Sequence, residues 1–226
     1  MKFTLGARLA AEFIGTAFLV AAVVGSGVMG EKLSGGNVAL ALLANTIATG
    51  AALVALIAAF ADISGAHLNP VVTLTDAFER RLPWLDATGY VSVQIVGGVV
   101  GAVTAHAMFG LPVISVSARP RHGWLLVFSE FVATFGLLLV IRGCSRRASI
   151  IPVAVGSYIT AAYWFTASTS FANPAVTIAR SLTNTFSGIQ PLDVPLFVAA
   201  QLVGGLVASM LMRRVLLPTT EQWPQK

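Results

Sequence analysis

Along the chain, long charge-poor runs alternate with short polar joints. The runs cover Leu9 to Gly30, Asn37 to Ala61, about Trp84 to Met108, Gly123 to Ile141, about Ile150 to Ala167, and Val194 to Met212. About 20 apolar residues cross the hydrocarbon core as a helix, so the pattern predicts six transmembrane helices. Two further segments, roughly Leu68 to Phe78 and Asn173 to about Thr185, are too short to cross. Each starts as a helix should. The Asn69 and Asn173 side-chain oxygens can accept a free N–H of the first turn. Pro70 and Pro174 sit just inside, where a missing N–H is harmless. A helix start inside a bilayer is tolerated only when it is buried in protein or lines a watery path. A loop rich in turn and basic residues, Gly110 to His122, separates the halves, and a short polar tail closes the chain.

The two halves echo each other in order. Ala11-Glu12-Phe13 followed by Gly15-Thr16 returns as Ser129-Glu130-Phe131 followed by Ala133-Thr134. Asn69-Pro70-Val71-Val72-Thr73 returns as Asn173-Pro174-Ala175-Val176-Thr177, and Gln94-Ile95-Val96-Gly97-Gly98 as Gln201-Leu202-Val203-Gly204-Gly205. Three spans per half is an odd number, so the second half enters the membrane from the other side. This predicts one membrane domain over residues 1–226, built as an inverted 3+3 repeat of about 8–108 and 123–217.

Composition agrees with this picture. Of 226 residues, 56% are hydrophobic and 10% charged, against roughly 25% charged in soluble domains. The net charge of +5 need not imply nucleic acid. Lys2, Arg8, Arg80, Arg81, Arg142, Arg146, Arg147, Arg213, Arg214 and Lys226 fall on one side of the six-span arrangement. Lys32, Arg119, Arg121 and Arg180 fall on the other. That bias places both termini in the cytoplasm of a cell (inner) membrane. Lys2 and Arg8 before an apolar run imitate a leader peptide, but Glu12 and its later copy mark a first transmembrane helix. Cys144 is the one cysteine and forms no intrachain disulfide.

If the two capped segments enter from opposite faces, their N-termini meet near the midplane. Two positive dipole ends and the amides of Asn69 and Asn173 then face one place. Such a site favours neutral oxygen-bearing solutes and repels cations. Glu12 and Glu130 are costly inside a membrane. Each is read as accepting hydrogen bonds from the re-entrant backbone of its own half, with Gln94 and Gln201 bonding internally, rather than as a proton relay. His67, beside the first Asn-Pro, is read as a satisfied structural histidine rather than a pH gate.

With these residues the chain resembles the major intrinsic protein family, the aquaporins and glycerol channels. The likeness rests on Ser64-Gly65-Ala66-His67-Leu68-Asn69-Pro70, Phe171-Ala172-Asn173-Pro174-Ala175 and the two Glu-led helices, and it spans the chain. It implies an all-α fold of six transmembrane helices plus two re-entrant half-helices, a pore in each subunit and a homotetramer. It places the pore centre at Asn69, Asn173, Pro70, Pro174, Val71 and Ala175. It places the outer selectivity filter at Thr49, Ala161, Ser170 and Val176. Two positions depart from the family: the first box reads Asn-Pro-Val, and the second reads Asn-Pro-Ala-Val where the family has Asn-Pro-Ala-Arg. A filter without that Arg is wider and less cation-repelling, which favours neutral solutes larger than water. Arg180, one turn beyond Val176, is read as facing solvent or lipid headgroups rather than the mouth. The run Tyr163-Trp164-Phe165-Thr166 before an Arg-less box resembles bacterial channels associated with arsenic resistance.

The expectation is a passive channel for glycerol-like polyols and neutral metalloid hydroxides such as arsenite and antimonite, with water passing too. A strict water channel and a proton-coupled secondary transporter are the alternatives. A junction role with negligible flux stays open. No nucleophile with a base, metal-ligand spacing or phosphate loop occurs, so no enzyme activity, metal or cofactor is expected. The expected partners are small neutral solutes and the lipid bilayer.

Overall fold

The computed structural model describes residues 3–216; Lys2, Lys226, the polar tail and the end of the second repeat at 217 lie outside the described residues. Among the described residues eight α-helices follow one another: α1 (Leu5–Leu33), α2 (Val38–Ser64), α3 (Pro70–Phe78), α4 (Trp84–Phe109), α5 (Trp124–Gly143), α6 (Ile151–Phe165), α7 (Pro174–Arg180) and α8 (Val194–Leu211). Six helices are long and apolar enough to cross a bilayer, and α3 and α7 are the two short ones. The ends follow their local chemistry. Thr4 and Asn37 cap α1 and α2 with side-chain oxygens, and Gly65 ends α2 in the left-handed conformation.

Within the first half, α1 lies along α2 and α4. Within the second, α5 lies along α6 and α8, and α2 meets α6 across the halves. Two glycines set how closely the paired helices approach. A Cβ on Gly97 would stand 2.5 Å from the Phe13 carbonyl of α1, and one on Gly204 2.5 Å from the Phe131 carbonyl of α5. Small residues at such crossings let backbones touch where no hydrophobic effect drives association.

The short helices are wedged into this frame, α3 and α7 each against both α4 and α8. Helix α7 ends at Arg180 rather than near Thr185. The carbonyls that would carry it further are taken elsewhere: Ser181 O accepts from Ser117 N at 2.9 Å and Leu182 O from Ser115 N at 3.0 Å. Residues 181–190 therefore run as an irregular segment over the loop between α4 and α5.

Candidate functional site

The segments before α3 and α7 adopt one unusual backbone. Ala66 and Leu68 have φ of 46° and 49°, and Ser170 and Ala172 have φ of 49° and 47°. Left-handed φ costs a non-glycine residue roughly 1 kcal/mol or more, so something must hold it. The holders are the buried carboxylates. Glu12 accepts from Ser64 Oγ at 2.6 Å, His67 N at 2.9 Å, Leu68 N at 2.7 Å and Gln94 Nε2 at 2.7 Å. Glu130 accepts from Phe171 N and Ala172 N at 2.9 Å each and from Gln201 Nε2 at 2.6 Å. Each Gln also donates to a threonine on the short helix, Thr73 or Thr177, at 2.9 Å. His67 bridges Thr73 through Nδ1 at 3.1 Å and Asp76 through Nε2 at 3.2 Å.

The helix starts meet head to head. Asn69 Oδ1 caps α3 through Val71 N at 2.9 Å, and Asn173 Oδ1 caps α7 through Ala175 N and Val176 N at 3.0 and 3.3 Å. Their amides then reach across: Asn69 Nδ2 donates to Ala172 O at 2.8 Å, and Asn173 Nδ2 to Leu68 O at 2.7 Å. An amide carries two donor hydrogens, so one on each Asn is left over. Both Asn residues line a cavity of about 250 Å³ that reaches from Asp76 and Arg142 at one end to Thr49, Ser170, Val176 and Arg180 at the other. Its middle walls are aliphatic, with Leu19, Leu53, Val72, Leu137, Val155 and Ile159 among them.

Several expected lining residues are elsewhere. Val71 and Ala175 are fully buried but face the helices: Val71 Cγ1 stands where a Cβ on Gly205 would be, and the Ala175 carbonyl lies 3.1 Å from one on Gly98. Pro70 and Pro174 are likewise buried without lining the cavity. At 100° per residue, the side chains turned inward are those three after each Asn, Val72 and Val176. Ala161 is exposed on the far side of α6, and Ile159 and Tyr163, one turn apart, line the cavity instead. Two residues along a helix is a rotation of about 200°, which explains the miss. Thr49, Ser170 and Val176 do line it, and Tyr163 Oη donates to Thr49 Oγ1 at 3.3 Å.

The largest correction is Arg180. It faces neither solvent nor headgroups: it is 2% exposed and lines the cavity. Its Nε donates to the Ser187 carbonyl, and its guanidinium lies 3.3 Å from the Phe171 ring centre. Arg121, from the loop between α4 and α5, lies 4.9 Å from the same ring centre. Arg121 donates through Nε to Gly188 O at 2.8 Å and through Nη1 to Ser168 O at 3.1 Å. Burial pulls the Arg121 guanidinium down to about 10, which leaves it charged at neutral pH.

The opposite end is an ion-pair cluster that sequence reading missed. Arg142 binds Asp76 at 2.6 Å and approaches Glu79 at 3.4 Å, and Arg81 pairs with both acids. Its one signal in sequence was an acidic pair on a capped segment too short to be a span.

The comparisons agree with this architecture. The major intrinsic protein family matches residues 2–172 and 145–223. Aquaglyceroporin AqpS of Rhizobium meliloti (strain 1021) is 52% identical over 218 residues, 96% of this chain and 93% of that protein. Aquaporin NIP1-4 of Oryza sativa subsp. japonica is 36% identical over 191 residues, 80% of this chain and 68% of that one. The X-ray structure of the aquaglyceroporin from Plasmodium falciparum superposes with a TM-score of 0.77 at 20% identity, covering 95% of this chain and 98% of that one. The chain belongs to the major intrinsic protein family. It is a multi-pass membrane channel for small neutral solutes, not an enzyme.

Proposed function

We propose that this channel passes glycerol-like polyols and undissociated metalloid hydroxides, arsenite and antimonite among them, together with water. The observation that carries the reading is the Asn69–Asn173 junction between the aliphatic middle walls of the cavity. Two helix N-termini and two spare amide hydrogens offer donors to solute oxygens. The aliphatic walls suit a solute's carbon or metalloid face. Thr49, Ser170 and Val176 bound the outer end with small or medium side chains, and the Ser170 hydroxyl has no protein partner among the described residues. That combination suits a solute larger than water with several hydroxyls. The 52% identity to a protein named an aquaglyceroporin supports the same class.

In this reading Asn69 and Asn173 form the pore centre, and Glu12, Glu130 and His67 hold the half-helices. The halves are an inverted repeat, and both termini face the cytoplasm of the inner membrane, so the Arg142 end is the inner mouth. Four copies assemble, each with its own pore; this rests on the family resemblance, and cross-linking in native membrane tests it.

Proteoliposome flux tests the channel reading. Glycerol and neutral arsenite should move in proportion to their gradients, with a low activation energy and no response to an imposed proton gradient. Saturable, proton-driven accumulation would replace the channel with a transporter. Val176→Arg should cut solute flux at least about tenfold while water still passes, because an arginine there narrows the outer end and adds a charge. Equal solute flux in that variant would remove the argument from filter width.

A further inference from the structure

The cavity ends differ in charge balance. At one end Arg142 and Arg81 are matched by Asp76 and Glu79. At the other, neither Arg180 nor Arg121 makes an ion pair with a carboxylate among the described residues. Asp193 takes only the backbone N–H of Arg121, at 2.6 Å. Glu130, engaged with the backbone before α7, acts on both guanidiniums from a distance. Carbonyls and the face of Phe171 hold the two cations instead. An aromatic face attracts a guanidinium without cancelling its charge.

The backbone explains the placement. Val176 and Arg180 are four residues apart on α7, so they share a face. Arg180, Phe171 and Ser170 all line the cavity, and the Arg180 guanidinium sits on the Phe171 ring.

Resting on the channel reading above, we propose that Arg180, clamped on Phe171, supplies the positive charge at the outer end that Val176 does not. Ion refusal and pore width then belong to different residues. Arg180 repels cations from the wall, and Val176 leaves the lumen open to solutes that an arginine at its position would block. A channel can in this way be wide for neutral hydroxyl compounds and closed to sodium, potassium and protons. Arg121, on the same ring, is a positioning residue that adds to the field.

The test measures glycerol flux by light scattering and cation leak with a pH-sensitive dye and valinomycin, in proteoliposomes. Arg180→Gln should raise the ratio of cation leak to glycerol flux on the order of tenfold, since one charge is lost at the cavity wall. Arg180→Lys should keep most of the barrier. Adding Val176→Arg to Arg180→Gln should restore cation exclusion while cutting glycerol flux. An Arg180→Gln protein with normal glycerol flux and no added leak overturns the inference and leaves the channel reading intact. If that variant does not reconstitute, Phe171→Leu decides. It keeps the charge but removes its clamp, and a leak equal to the parent's in a glycerol-conducting protein overturns the proposal equally. A parent that passes no glycerol overturns both.

Discussion

At the middle of the bundle the two halves of the chain are near copies, and toward its ends they part. Around Asn69 and Asn173 the same devices recur: a buried Glu, a Gln bonded to Glu and Thr, three left-handed residues in the same spacing, and a reciprocal amide bond. At the end of α3 Asp76 sits in a neutralised ion-pair cluster, whereas at the end of α7 Arg180 shares the Phe171 ring with Arg121 from the loop between α4 and α5. The junction is built from one set of bonds used twice. The ends meet different surroundings and are where one channel of this kind can differ from another.

The sharpest way to break the likeness is to remove the carboxylates. Each leaves buried donors without an acceptor, at about 3–5 kcal/mol for such a site. Glu12 serves four donors and Glu130 three. Both Glu12→Ala and Glu130→Ala should lose most folded protein in detergent, with Glu12→Ala the more damaging. Equal yields and melting temperatures would mean that the extra Ser64 bond contributes nothing.

A smaller effect separates the two glycines that face the short helices. A Cβ on Gly205 would meet the Val71 side chain at 2.1 Å, and one on Gly98 the Ala175 backbone carbonyl at 3.1 Å. Gly205→Ala should cost about 1–3 kcal/mol by overpacking and recover when Val71→Ala is added. Gly98→Ala meets backbone, so trimming a side chain should not relieve it. Thermal unfolding of the singles and the double checks this; failure of Val71→Ala to rescue would mean that Val71 is not the obstacle. The smallest effect expected is Tyr163→Phe, which removes the bond to Thr49. It should cost about 1 kcal/mol and change glycerol flux by less than about twofold. A larger flux change would make the Tyr163 hydroxyl a filter group in its own right.

Much of the fold was legible because the membrane demands it. Twenty apolar residues in a row have few other uses, and Asn-Pro inside such a chain announces a helix start where one is costly. What the pattern did not reveal was which side of a helix faces the lumen. In a soluble bundle polar residues mark the outer face, but α6 is apolar toward both lipid and cavity. Nothing in its composition therefore distinguished Ala161 from Ile159 or Tyr163. Val71 and Val72 are adjacent and chemically alike, and only the glycine on α8 shows which of them points away. Arg180 escaped for another reason. Its partners, Phe171 and the Ser187 carbonyl, lie before and after its own helix, and no periodicity announces a contact of that kind. The cluster on Asp76 draws its arginines from the loop after α3 and the end of α5, so it too depends on distant segments.

The crossed amides have a consequence for biosynthesis. Asn69 finds its acceptor only at Ala172, a separation of 103 residues. A nascent chain can lodge its opening helices in the lipid long before the partner of Asn69 leaves the ribosome. Until then the Leu68 carbonyl lacks Asn173 and the Asn69 amide lacks the Ala172 carbonyl, although Glu12 can already hold the turn before α3. The passage has walls from both halves, so a product cut short after α4 lacks half of its lining.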